Sequence, residues 1–143
     1  VLNSYLREKK PDLVVTHAPN DYHSDHRNLS NSIMNLLDFK CPILFCDTLM
    51  GINFLPDIFV DITEVFNDKK YAILSHKSQN PKKFFEVAKL MNRYRAAQCN
   101  APNDHYAEAY KLYSKFPFSD IRNILPPSPK IRPFNIKSND SLV

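Results

Sequence analysis

The chain has 143 residues, 43% hydrophobic and 24% charged, and its 19 Lys and Arg against 15 Asp and Glu give a formal net charge of +4. This is the composition of an ordinary globular domain with enough chain to bury a core. It excludes a membrane-spanning helix, because no apolar run approaches ~20 residues, and the scattered basic residues, not interleaved with aromatics, argue against a nucleic-acid surface.

Leu2, Tyr5 and Leu6 share one helical face, and Pro11 stops that helix. Leu13-Val14-Val15-Thr16 is a short apolar run of the kind found in buried parallel strands. From Ser24 to Phe39 the residues Leu29, Ile33, Leu36 and Leu37 recur at helical spacing, with Ser24 as the candidate N-cap. Residues 42–49 and 58–63 predict two further strands, separated by a loop around Gly51, the one glycine in the sequence. Thr63 is placed to cap a helix running to about Gln79, which Pro81 ends. A longer helix follows from about Lys82 to Ala97, with Phe84, Val87, Ala88 and Met91 inward, and then a short helix from Tyr106 to Tyr113. Beyond residue 125 the run Pro126-Pro127-Ser128-Pro129 predicts an extended tail over 126–143.

Strands alternating with helices give an α/β fold. The expected form is a partial Rossmann-like, mostly parallel sheet flanked by helices, because only two or three strands are convincing. The chain opens within a helix and without an initiator methionine, so it reads as the C-terminal portion (residues 1–125) of a larger domain. Cys41, Cys46 and Cys99 are odd in number and form no C-x-x-C pair, which fits a reducing, cytoplasmic setting.

Chemistry concentrates in one block, His23-Ser24-Asp25-His26, where the first strand gives way to a helix. In open α/β sheets ligands bind at such a junction. At the first turn of a helix, His23 and His26 are three residues apart and can project to one side. Imidazole is the commonest zinc ligand, and a nearby carboxylate can orient it. A catalytic zinc takes about three protein ligands, so this block is a partial set. Asn20 and Asp21 read as turn residues and His17 as a polar group at a strand end. The plain alternative is a polar loop that only caps a helix.

Four stretches in order, Asp21-Tyr-His-Ser-Asp-His-Arg27, Pro56-Asp-Ile-Phe-Val-Asp-Ile-Thr63, Lys70-Tyr-Ala-Ile-Leu-Ser-His-Lys-Ser-Gln79 and His105-Tyr-Ala-Glu-Ala-Tyr110, resemble the C-terminal part of the PIG-L/LmbE-like zinc-dependent N-deacetylases. The resemblance implies removal of an acetyl group from an N-acetylglucosamine conjugate or related amino sugar, with Zn2+ as cofactor. It implies that His26 is a zinc ligand, that His23 stabilises the tetrahedral oxyanion and that Asp25 is the acidic partner orienting the site. The family's other two ligands and its general-base aspartate come from a His-Pro-Asp-Asp-Glu motif, which this sequence does not contain. Two other readings stand beside it. One is a non-catalytic truncated piece or pseudoenzyme that keeps the fold without metal, and the other a metal-dependent phosphoesterase. Outside the block, Asp61 reads as a residue ordering the turn before Thr63.

Overall fold

In the computed structural model, residues 1–37, 40–114 and 125–127 are described; Phe39 and most of the proline-rich tail expected over 126–143 lie outside them. The fold is α/β. A four-stranded sheet runs in the order β1 (Val14–Thr16), β2 (Ile43–Cys46), β4 (Ala107–Leu112), β3 (Ile58–Asp61). The helices are α1 (Leu2–Lys9), α2 (Ser24–Leu37), α3 (Phe66–Leu74) and α4 (Pro81–Gln98). None of these helices is long and apolar enough to cross a membrane. The chain divides into two compact units, one built on Val1–Ile58 with the segment from Tyr110 and the other on Phe59–Ala109.

In the first unit, helix α1 ends where Lys10 turns left-handed (φ 45°) and returns its N–H to Leu6, just before Pro11. The β-branched run that follows favours extended backbone. Val14, Val15 and Thr16 pair in parallel with Ile43, Leu44 and Phe45. Helix α2 is the crossover that a parallel pair requires. Its buried face is Ser30, Ile33 and Leu37, whereas Leu29, part of the same apolar spacing, is exposed. Strand β2 is the centre of this core: Ile43 is 0% exposed, and Leu44 and Phe45 are also buried. The Cys41 thiol is buried beside it and donates to the carbonyl of Pro11 at 3.1 Å. Burial, and behind it the charge of Asp12, pushes that thiol above the usual range.

The last element corrects two expectations. Where a helix was expected over 106–113, Ala107–Leu112 form a strand, and β4 runs antiparallel to β2, with Leu44 opposite Leu112 and Cys46 opposite Tyr110. The sheet is therefore mixed, where a mostly parallel one was expected. Alanine, glutamate and lysine favour helices, but Ala107 and Ala109 are both buried and lie on one face of the strand. Ladder bonds and burial override a propensity worth only tenths of a kcal/mol per residue.

In the second unit, Asp61 orders the turn after β3, as expected, by accepting the Thr63 N–H at 2.9 Å. Thr63 does not cap α3; its hydroxyl bonds Asp61 and accepts the Tyr106 N–H at 3.0 Å. Phe66 then stacks on Tyr106, with ring centroids 3.6 Å apart. Helix α3 stops at Leu74, short of Gln79, and Pro81 opens α4 instead of ending α3, with Asn80 accepting the Lys83 N–H as N-cap. Phe84 is exposed rather than inward; the buried positions on α4 are Asn92, Arg95 and Ala96. The Asn92 amide donates to the Ala107 carbonyl at 2.7 Å.

Candidate metal centre

The site is built where β1 ends. Thr16 closes the strand, His17 follows, and a tight turn at Ala18 lets Asp21 return its N–H to the Ala18 carbonyl at 3.1 Å. Ala18 is buried, which fixes the turn against the first unit's core. The Asp21 carboxylate then accepts the His23 N–H at 2.9 Å, an Asx turn that carries the chain into α2. Arg27, one turn into the helix, reaches back. Its Nη1 donates to the carbonyls of Asp21 and Tyr22, both at 2.7 Å. A single guanidinium nitrogen thus holds the loop to the helix that follows it.

That path brings three side chains together. His17, Asp21 and His26 each offer a ligand atom, and these atoms all lie within 4.8 Å of one another. The His17 and His26 rings stack with centroids 3.7 Å apart and planes 3° from parallel. Asp21 is almost wholly buried, and its Oδ1 lies 3.2 Å from His26 Nδ1. The two atoms are close but not aligned for a hydrogen bond, so the buried His26 Nδ1 is left without one. A buried polar atom in that state is costly.

The donor types present fit a metal ion, which both in-plane lone pairs reach once one of the two stacked rings turns. Two imidazoles and a carboxylate form the mixed nitrogen and oxygen donor set that zinc takes. Ligand atoms bound tetrahedrally at zinc distances are about 3.3 Å apart, close to the Asp21–His26 separation. Bond formation to a cation would also satisfy the orphaned Nδ1. Burial lowers the His17 pKa below the ordinary imidazole value, and the neighbouring His26 adds to the effect, opposed in part by Asp21. The ring is consequently neutral, with a lone pair to donate, at a lower pH than a free histidine.

The sequence-derived residues divide. His26 lies inside the cluster. His23 lies beside it, its ring centroid 4.8 Å from that of His26. Ser24, expected as the N-cap, is the first residue of α2. The capping role falls to His23, whose carbonyl accepts the Arg27 N–H at 3.1 Å and whose Nδ1 accepts the Asp25 N–H at 3.2 Å. Asp25 is exposed, its carboxylate 4.0 Å from His23 Nδ1 and outside the cluster. His17 and Asp21, which read in the sequence as a strand end and a turn residue, are the partners of His26. The signal available was their spacing, since a turn after a strand can fold positions 17 and 21 back onto the helix start at 26.

No family model matches the sequence, and no curated protein matches it significantly. Among solved structures, the chain is similar to GalB, the 4-carboxy-2-hydroxymuconate hydratase of Pseudomonas putida, at 24% identity and a TM-score of 0.62. The match covers 83% of this chain and 58% of that one. The likeness is one of fold, and the chain spans little more than half the length of that enzyme.

Proposed function

We propose that this chain carries part of the active site of a metal-dependent enzyme that adds water to its substrate, and that the reaction is N-deacetylation of an amino-sugar conjugate. The observation that carries the proposal is the convergence of His17, Asp21 and His26 at the C-terminal end of β1. The substrate class and the choice of zinc rest on the resemblance of the four ordered stretches to PIG-L/LmbE-like deacetylases. A zinc ion there would acidify water to a pKa of about 7 and polarise the acyl oxygen.

The chain's own residues also supply an oxyanion contact. His23 Nδ1 accepts the Asp25 N–H, so in the neutral ring the proton sits on Nε2. Nε2–H is then left to donate to an oxyanion forming near the cluster. Asp25 sets that tautomer through its backbone N–H, with its carboxylate close behind. Deacetylation breaks the amide C–N bond, adds the water oxygen to the acetyl carbon and delivers a proton to the departing amine. The general base that the resemblance implies belongs to the His-Pro-Asp-Asp-Glu motif, absent from this sequence.

A second reading is favoured by the fold likeness to a hydratase: addition of water to a carbon–carbon double bond of a carboxylated substrate. The two separate in one experiment. The zinc-loaded protein is offered an N-acetylglucosamine conjugate and, separately, 4-carboxy-2-hydroxymuconate. Acetate release that is lost in His26→Ala supports deacetylation; loss of the conjugated absorbance without acetate supports hydration. Zinc binding and turnover that survive His26→Ala would overturn both.

A further inference from the structure

Building on the metal-centre reading above, we propose that residues 49–55 form an apolar subsite of the same active site, which takes an alkyl or aryl substituent of the substrate. Topology places this loop. Strands β1 and β2 are parallel neighbours, with Thr16 opposite Phe45. The segments that follow them therefore leave from the same end of the sheet, one carrying the metal cluster and the other residues 49–55. The two are also tied directly, because the Asn20 side-chain amide donates to the Asn53 carbonyl. Asn20 is the residue before Asp21, so the tether ends one position from a candidate metal ligand.

The loop is apolar and outward-facing. Met50, Ile52 and Leu55 are 47%, 57% and 79% exposed, and Leu49 is also exposed. On α3 and α4, exposed apolar residues such as Tyr71 and Leu90 are spaced along the helices, as is ordinary for a protein surface. Four within seven positions beside a metal cluster call for an apolar occupant.

It is also held in shape. The buried Thr48 hydroxyl donates to the Ile52 carbonyl at 2.7 Å, Gly51 N–H donates to Thr48 at 3.0 Å, and Phe54 N–H donates to Gly51 at 3.2 Å. Phe54 is buried and anchors the far side. Met50, Gly51 and Asn53 have φ of 60°, 66° and 56°. Glycine and asparagine adopt that left-handed region readily, whereas methionine is strained there. Strain of this kind persists where the surroundings over-determine it, and it gathers at ligand clamps. The result is a preformed wall of aliphatic groups, which binds without first having to be ordered.

The test uses the methyl resonances of the three methionines, Met34, Met50 and Met91. Carbon-13 methyl-labelled protein is titrated with octyl N-acetyl-β-glucosaminide below its micelle concentration, and in parallel with the methyl glycoside. The Met50 signal is expected to shift with the octyl compound and to reach half-saturation at a concentration at least ~10-fold lower than with the methyl one, since each CH2 removed from water strengthens binding by about fourfold. Ile52→Ser with Leu55→Ser should abolish that preference, and Leu90→Ser should preserve it. An unmoved Met50 signal, or equal responses to both glycosides, overturns the subsite. So does a loop variant that turns a dimer into a monomer with no ligand response, which would make the loop a contact between copies of this chain. Zinc titration keeps the two proposals apart: zinc held without a Met50 response sinks the subsite alone, whereas a Met50 response with no zinc bound sinks the metal reading.

Discussion

Replacing Arg27 by Ala tests whether the metal cluster is assembled by its loop or only happens to lie near it. Nη1 makes two 2.7 Å bonds, to the carbonyls of Asp21 and Tyr22. A hydrogen bond from a charged donor contributes about 1.5–3 kcal/mol net. The bond to Tyr22 is at the surface and belongs at or below the lower end. Allowing for solvent, the pair contributes about 2 kcal/mol to holding the turn against α2. If that energy preorganises Asp21 beside His26, its loss weakens zinc binding by about 30-fold. This falls within the range of about 10–100-fold seen when groups behind metal ligands are removed. The measurement is a chelator-competition titration of zinc on the parent, Arg27→Ala and Arg27→Lys, with thermal unfolding of each metal-free protein alongside. Lysine keeps the charge and can reach one carbonyl, so it should fall between the other two. A zinc affinity in Arg27→Ala within twofold of the parent, whatever happened to the melting temperature, would mean that the clamp stabilises the fold without shaping the site.

Other expectations follow from the same geometry. Asp21→Asn keeps an oxygen to accept the His23 N–H but removes the charge, so zinc affinity should drop by more than about tenfold while the melting temperature changes little; chelator competition and calorimetry read the two separately. The lowered His17 pKa makes the metal-free protein less stable in acid. The unfolded chain takes up that proton first, so stability is lost as pH falls from about 6.5 towards the lower folded value, and His17→Asn should flatten that part of a urea-midpoint profile. Ile43→Ala, at a position with no exposure, should cost about 2–5 kcal/mol in chemical denaturation, whereas Leu90→Ala on the surface should cost well under 1 kcal/mol.

Much of this protein is written locally. The β-branched run before His17, the helical spacing from Ser24 and the apolar segment around Ile43 each predict their elements, because burial periodicity follows directly from backbone geometry. The dense His/Asp block also marks the site without any structure. Residues 107–112 read as helix for a physical reason: alanine gives almost no hydrophobic contrast between the two faces of a strand, and it is also the best helix former. Only its place in the sheet, between β2 and β3, decided that segment. The same holds for the cluster. His17 and Asp21 look like a strand end and a turn residue, and nothing in their identity says that the chain doubles back. The buried turn at Ala18 and the Arg27 clamp bring them to His26, and contacts of that kind depend on a path through space that no sequence period encodes.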